Sequence, residues 1–260
     1  MPTATSADGT TIAYDVSGTG PTLLYITGAT CFRSFLPVAA DAKVFARAFT
    51  VYSYDRRGRG DSGDTGPYAV AREVDDIEAM IDAAGGRALL YGHSSGAALA
   101  LEAAARMPDK VTGVVAYDAS YVHDATERDS YARLARAVGA ELDAGEHARA
   151  LTVFLRGIGM PRAFVALLPF FPGRRTMKAL APTLRYDIAL TAEPAPVHRF
   201  ARIEVPVHVV VGAKSPRSLH AVAEQLVAAV PNASHQILPG QNHMVGAKAL
   251  LPILTAACPT

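Results

Sequence analysis

Short apolar runs alternate with helical patterns over the first 118 residues. Five segments rich in Val, Ile, Leu, Tyr and Thr predict strands. These segments are 10–16, 22–28, 49–55, 87–92 and 111–118. Residues 71–86 place apolar side chains at helical spacing and end in two glycines, and residues 95–107 predict a second helix.

The alternation of strands and helices resumes near the end of the chain, with predicted strands at 205–212 and 234–240, each followed by a helix. Strands that alternate with helices favour a mostly parallel sheet with helices on both faces. Residues 119–202 contain helical patches and many prolines but no clear strand. We therefore predict an α/β core formed by residues 1–118 and 203–260, with a helical lid at 119–202.

Composition excludes some classes of partner. The 260 residues are half hydrophobic and carry a net charge of +1, which gives no general attraction to nucleic acid or to a membrane surface. Cys31 and Cys258 do not form a disulfide framework. The N-terminus has no signal-peptide pattern, and no apolar run is long enough to span a membrane. These features predict a cytoplasmic protein that acts on a small molecule.

The most informative turn is Gly92-His93-Ser94-Ser95-Gly96, which fits the pattern G-x-S-x-G between a strand and a helix. Ligands of open α/β sheets bind beyond the carboxyl ends of the strands, where this turn lies. One interpretation is a nucleophilic Ser94 held on a sharp bend between glycines. The other is an ordinary helix start capped by Ser95, with no catalysis.

Four segments together resemble the α/β-hydrolase superfamily over essentially the whole chain: 25–30, 54–63, 92–96 and 239–245. The resemblance implies an α/β-hydrolase fold, a mostly parallel, doubly covered sheet with a helical lid insertion. It also implies that Ser94 is the nucleophile and that His243, just after the last strand, is the catalytic base.

The same resemblance implies an oxyanion hole. One donor would be the backbone N–H of Ser95, and the other would come from the loop after the strand at 22–28. Many relatives have His-Gly in that loop, whereas this chain has Thr27-Gly28. We assign the second donor to the N–H of Ala29.

The catalytic acid departs from the common pattern. Many relatives carry an aspartate after the penultimate strand, where this chain has Ser215. Other members of the superfamily place the acid after an earlier strand, where this chain has Asp118. We predict the triad Ser94, Asp118 and His243, with Asp118 within hydrogen-bond reach of His243 and Ser215 a bystander. The alternative is that Asp118 caps a lid turn and the enzyme works as a dyad or not at all.

Charge raises two further questions. Arg56, Arg57 and Arg59 either shape the loop after the strand at 49–55 or bind an anion. Residues 156–202 carry seven arginines and one lysine against Asp187 and Glu193 only. That stretch is either a solvated basic face or a mouth for an anionic or carrier-linked substrate. No metal-binding or dinucleotide-binding motif is present, so neither metal nor cofactor is implied.

These expectations describe a cofactor-independent serine hydrolase that cleaves an ester, thioester or lactone through an acyl-enzyme. Cofactor-free lyase or cyclase chemistry, C–C bond hydrolysis, and ligand binding with little turnover use similar residues and stay open.

Overall fold

The computed structural model describes residues 1–170 and 173–258, so four positions of the predicted lid and second core segment, 171, 172, 259 and 260, lie outside the described residues. In the described residues, eight strands form one sheet in the order β1-β2-β4-β3-β5-β6-β7-β8. Their bounds are β1 (Thr3–Thr5), β2 (Thr11–Ser17), β3 (Thr22–Ile26), β4 (Thr50–Tyr54), β5 (Ala88–His93), β6 (Val111–Tyr117), β7 (Val207–Gly212) and β8 (Ala233–Leu238). The β1–β2 and β2–β4 pairs are antiparallel, and the pairs from β4 through β8 are parallel. The predicted mostly parallel sheet is confirmed.

Helices cover both faces of this sheet. Their bounds in the described residues are α1 (Leu36–Phe45), α2 (Val70–Ala83), α3 (Ser95–Arg106), α4 (Ala125–Asp143), α5 (His147–Gly157), α6 (Arg162–Leu167), α7 (Arg174–Ala179), α8 (Leu184–Thr191), α9 (Val197–Phe200), α10 (Arg217–Ala229) and α11 (Ala247–Ala257).

The alternation of side chains along each strand divides the core in two. Leu23 and Leu89 are paired across β3 and β5, and they pack in the cluster that includes α1 and α11. The next pair, Leu24 and Leu90, packs in the opposite cluster with α2 and α3. Because successive strand residues point to opposite faces, a sheet covered on both sides needs continuous apolar runs.

Helices α4 to α9 lie between β6 and β7 in the chain, and no strand occurs among the described residues of that segment. They have a small core of their own that includes Val138, Leu151, Phe154 and Leu184. The side chain of Asp124 accepts a hydrogen bond from the backbone N–H of Glu127 and so caps α4.

Two elements are not predicted by the hydrophobic pattern. Strand β1 has three residues, of which only Ala4 is buried, so it is too short to show an alternation. Helix α1 is rich in alanine and apolar residues and interrupts them only with Asp41 and Lys43, so its polar face is weak. Among the described residues, no helix has the length and apolar character needed to cross a membrane.

Candidate active site

Ser94 stands on a sharp turn between β5 and α3, with φ 57° and ψ −123°. A non-glycine residue with positive φ costs on the order of 1–3 kcal/mol and persists only where its surroundings enforce it. The two glycines explain how the turn closes: a Cβ at Gly92 would clash with the backbone of Gly96 and Ala97, and a Cβ at Gly96 would clash with the carbonyl of Ile26. The bend predicted from the motif is therefore present.

The alternative role of Ser95 as a helix cap is wrong. Its hydroxyl donates to Oδ1 of Asp187 at 2.7 Å, and no side-chain cap hydrogen bond is present at the start of α3. The backbone of Ser95 begins the helix directly after Ser94, so the Ser95 N–H lies in the first turn of α3, where N–H groups have no partner within the helix.

Asp118 and His243 come together at the carboxyl edge of the sheet. Nδ1 of His243 lies 2.9 Å from Oδ2 of Asp118, within the predicted reach. Because a carboxylate accepts hydrogen bonds, Nδ1 carries the hydrogen and Nε2 is left as the basic nitrogen. The side chain of Asp118 is fully buried, and its φ of 46° is, like that of Ser94, positive.

The expectation that Ser215 is a bystander is wrong. Its hydroxyl donates to Oδ2 of Asp118 at 2.6 Å, and the N–H of Gly212 approaches Oδ1 at 3.2 Å. Ser215 therefore helps to hold the carboxylate that contacts His243. Position 215, where the resemblance directs the search for an acid, thus carries a hydroxyl that binds the carboxylate of Asp118.

The loop that carries His243 is fixed by two side chains from the strands beneath it. Nε2 of His93 lies 2.8 Å from the carbonyl oxygen of His243, and because a carbonyl only accepts, His93 is the donor. The hydroxyl of Tyr117 donates to the carbonyl of Asn242 at 2.6 Å. Burial and the neighbouring His243 lower the pKa of His93 to about 4, so this imidazole is neutral at physiological pH. The imidazole of His93 thus holds the loop that carries His243 and makes this hydrogen bond outside its own turn.

Ser94 Oγ lies 3.1 Å from Oγ of Ser120, a residue that the sequence patterns did not single out. Among the described residues, Ser94 makes no hydrogen bond to His243, but both line one cavity. Catalytic hydrogen bonds are often loose without substrate and tighten in the complex. Ser120 follows Asp118 by two positions, and only its place at a strand end marks it in the sequence.

Ala29 and Ser95, the residues assigned to the oxyanion hole, line the same cavity as Ser94. The loop before Ala29 approaches Ser94 closely, because a Cβ at Gly28 would lie 3.0 Å from Cβ of Ser94 and 3.1 Å from the carbonyl oxygen of His93. Glycine at position 28 therefore allows this approach, whereas the altered Thr27 is buried beside it.

The cavity has a volume of about 610 Å³ and lies between the sheet edge and the lid. The lid contributes a mainly apolar wall, which includes Leu134, Phe154, Ile158 and Met160. Charged lining side chains are Glu127, Asp187 and Lys214. A substrate with an apolar portion of moderate size fits such a site.

The arginines of the loop after β4 support the first of the two interpretations, in which they shape the loop and do not bind an anion. Arg56, Arg57 and Arg59 are almost completely buried, and each pairs with carboxylates. Arg57, for example, binds Asp76 through Nη2 at 2.7 Å. Their charges are thus already compensated inside the protein.

Four of the seven arginines of residues 156–202 fall into two groups. Arg185 and Arg199 form surface ion pairs with Asp143 and Glu102. A second group lines a depression of about 530 Å³ formed by Arg156, Gly159, Met160 and Arg162. Gly159 and Met160 also line the main cavity, so this basic depression adjoins it.

Comparison with known proteins agrees with this architecture. A sequence model of the alpha/beta hydrolase family matches residues 6–249. A 2-(acetamidomethylene)succinate hydrolase from Mesorhizobium japonicum is 30% identical to the chain over 241 residues, which cover 88% of this chain and 83% of that protein. The crystal structure of an alpha/beta hydrolase from Sphaerobacter thermophilus has 40% identity and a TM-score of 0.86, with 98% and 99% of the two chains covered. The enol-lactonase from Burkholderia xenovorans, at 20% identity and a TM-score of 0.77 over 98% of this chain and 99% of its own, shares the fold.

Proposed function

We propose that this protein, which belongs to the alpha/beta hydrolase family, is a serine hydrolase that cleaves an ester, thioester or lactone of a small molecule. The observation that carries the proposal is the 2.9 Å contact of His243 with Asp118 in a cavity that Ser94 also lines. No cofactor takes part in the proposed reaction. A cytoplasmic location belongs to the same proposal, and the Cys31 thiol, which is not in a disulfide, is compatible with it.

The reaction follows from the roles of these groups. Ser94 Oγ attacks the substrate carbonyl carbon while Nε2 of His243 takes the hydroxyl proton. The carbonyl electron pair moves to oxygen, and the N–H groups of Ser95 and Ala29 stabilise the oxyanion. When the pair returns, the leaving group departs with the proton from His243. Water, deprotonated by His243, then releases the acyl group from Ser94.

Asp118 orients His243 and stabilises its transient positive charge. The imidazolium forms in a partly enclosed site where the attraction between opposite charges is stronger than in bulk water. Ser215 and the N–H of Gly212 hold the carboxylate in place without bringing a competing charge.

A second candidate function is hydrolysis of an amide-type bond in a small anionic substrate. The relative from Mesorhizobium japonicum acts, by its name, on 2-(acetamidomethylene)succinate. In the present chain, Arg156 and Arg162 adjoin the cavity and could attract an anionic or carrier-linked substrate.

Active-site labelling followed by a substrate panel tests the proposal. A fluorophosphonate should modify wild-type protein at Ser94 and leave Ser94→Ala unlabelled. The panel should contain esters of graded acyl length, thioesters, lactones and N-acetyl enamides, each with and without a carboxylate. Absence of labelling and of turnover would favour the ligand-binding alternative, whereas labelling without hydrolysis of any member would favour lyase, cyclase or C–C bond chemistry.

A further inference from the structure

One carboxylate of the segment between β6 and β7 is linked by hydrogen bonds to the residues that carry both proposed oxyanion donors. Asp187, on α8, is 1% exposed. Its carboxylate accepts hydrogen bonds from Arg56 Nη1 at 2.9 Å, from Arg59 Nη2 at 2.7 Å and from Ser95 Oγ at 2.7 Å. No motif in the sequence connects Asp187 with these partners.

The contact with Arg59 links Asp187 to the N–H of Ala29, one of the two proposed oxyanion donors. Nη1 of Arg59 donates to the carbonyl oxygen of Gly28 at 2.8 Å. The N–H of Ala29 belongs to the same peptide unit, and in a trans peptide the C=O and N–H bonds point in opposite directions. A guanidinium that holds the Gly28 carbonyl on its own side therefore directs the Ala29 N–H to the other side, where Ala29 lines the cavity with Ser94.

The contact with Ser95 links Asp187 to the other proposed donor, the backbone N–H of Ser95. Ser95 follows the nucleophile, and its side chain is anchored to Oδ1 of Asp187 rather than to its own helix. Anchoring this side chain restricts rotation of the peptide that carries the Ser95 N–H. The same oxygen of Asp187 also accepts from Arg56, whose other side binds Glu73.

The charges around Asp187 fit a fixed structural cluster. Burial opposes the ionisation of Asp187, but Arg59 and Arg56 outweigh that effect and hold its pKa below the ordinary value. The two guanidiniums face two carboxylates, those of Asp187 and Glu73, so opposite charges balance. Buried charges with complete pairing are costly to disturb, because removal of one partner leaves another uncompensated.

We propose that Asp187 is a positioning residue that couples the lid to the oxyanion hole, setting the Ala29 N–H through Arg59 and the Ser95 N–H through the Ser95 side chain. The proposal rests on the serine-hydrolase function above. Asp187 also lines the cavity, but in this role it acts through Arg59 and Ser95 and not through contact with the reacting atoms. It makes oxyanion stabilisation depend on the docked position of α8.

The test compares Asp187→Asn with Asp76→Asn. Asp76 is an equally buried carboxylate that pairs with Arg57 of the same loop, but neither Asp76 nor Arg57 contacts Gly28 or Ser95. Asp187→Asn loses buried ion pairs with Arg56 and Arg59, and Asp76→Asn loses one with Arg57, so an effect common to both reports general destabilisation. Circular dichroism and thermal melting establish the folded fraction used to normalise each rate.

Two inhibitors separate oxyanion stabilisation from substrate binding. Ser94 Oγ adds to the carbonyl carbon of a trifluoromethyl ketone and gives its proton to His243, and the carbonyl electron pair moves to the oxygen, which lies in the hole as an oxyanion. The matching methyl ketone binds mainly as an unreacted ground-state analogue. For Asp187→Asn we expect kcat to fall about 10- to 100-fold, less than the loss for complete removal of a donor, with KM within about threefold. The trifluoromethyl ketone Ki should rise in parallel while the methyl ketone Ki stays unchanged.

A through-space charge effect predicts the opposite sign. Asp187→Asn removes a negative charge near the developing oxyanion, which by itself would favour the transition state. An unchanged or raised kcat, or a loss shared equally by Asp76→Asn, would therefore overturn the proposal. If Asp187→Asn does not fold, Ser95→Ala provides the decision, because it removes the contacts of the hydroxyl with Asp187 and with Arg56 Nη1 and leaves all ion pairs. Ser95→Ala should lower kcat by up to about tenfold and raise the trifluoromethyl ketone Ki, and no change in either would contradict the coupling.

Wild-type labelling keeps the two proposals separate. If a fluorophosphonate does not label wild-type Ser94, the serine-hydrolase function itself is wrong. If Ser94 is labelled and turnover depends on it, but Asp187→Asn behaves like the control, only the coupling through Asp187 is wrong.

Discussion

Asp118 and His243 lie 125 positions apart in the chain, yet Nδ1 of His243 is 2.9 Å from Oδ2 of Asp118. Strand β6 ends at Tyr117 and delivers the carboxylate, while the loop after β8 delivers the imidazole. Ser215 stands between these segments in sequence and donates to the same carboxylate oxygen at 2.6 Å. In the proposed triad the acid thus directly follows β6, and the loop after β7 contributes a hydrogen bond to it.

Replacement of Asp118 by asparagine should lower kcat strongly. The amide keeps the shape but favours the wrong imidazole tautomer and does not stabilise the imidazolium, and the same change in a serine protease costs about 10⁴-fold. Steady-state kinetics on the best substrate of the panel would measure this loss. An Asp118→Asn variant with wild-type kcat would refute the triad and leave a dyad.

The role of Ser215 can be separated from that of Asp118. Ser215→Ala removes one hydrogen bond from a neutral hydroxyl to a carboxylate and should cost about 1.5–3 kcal/mol of stabilisation of that carboxylate, so the loss in kcat should be at most about 10- to 100-fold. Ser215→Asp in the Asp118→Asn background restores a carboxylate where many relatives carry theirs. We expect partial recovery of kcat in that double variant, and its absence would mean that the β7 loop does not bring position 215 within reach of His243.

Removal of the nucleophile should abolish turnover with little change in stability. Ser94→Ala keeps the backbone turn, which depends on Gly92 and Gly96, and loses only the hydroxyl near Ser120. The loss in kcat should be on the order of 10⁶-fold, as for other nucleophiles of this type. Melting curves of the two proteins should nearly coincide, and retention of activity would refute the assignment of Ser94.

If the basic depression guides an anionic substrate, Arg156→Gln combined with Arg162→Gln should lower kcat/KM for a carboxylate-bearing substrate. The loss should be larger at low ionic strength than at high, because salt screens exposed charges beyond about 10 Å at 0.1 M. Arg185→Gln combined with Arg199→Gln is the matched control, since both of these arginines are engaged in surface ion pairs. Equal effects in the two variants, or no salt dependence, would contradict guidance of the substrate and favour the interpretation of residues 156–202 as a solvated basic face.

The sequence predicts those features that depend on local pattern. Buried strands can be predicted because they are continuous apolar runs. The sharp turn at Ser94 can be predicted because positions 92 and 96 leave no room for a side chain and are therefore glycines. Asp187 shows the limit: it is 92 positions from Ser95 and 128 from Arg59, and only the packing of α8 against α2 and α3 brings them together. No spacing rule links residues whose proximity is produced by tertiary packing.

The buried imidazole of His93 should make stability depend on pH in a defined direction. Its pKa is about 4 in the folded protein, lowered by burial and by His243. The unfolded chain, with an ordinary histidine pKa of about 6.5, then binds more protons than the folded state between these values, so stability falls as pH decreases from about 6.5 to about 4. Relative to pH 7.5, the contribution of His93 should lower the free energy of unfolding at pH 5 by up to about 2 kcal/mol.

Urea unfolding of wild type and His93→Gln at pH 7.5 and pH 5 measures that contribution as a difference. Glutamine is neutral at both pH values, so the variant should lose less stability on acidification than the wild type does. Asp41 acts with the opposite sign, because burial raises its pKa to about 6 and its ionisation destabilises the folded protein as pH rises. Both proteins keep Asp41, so its effect cancels in the comparison. Equal pH dependence of the two proteins would show that His93 does not titrate differently in the folded and unfolded states.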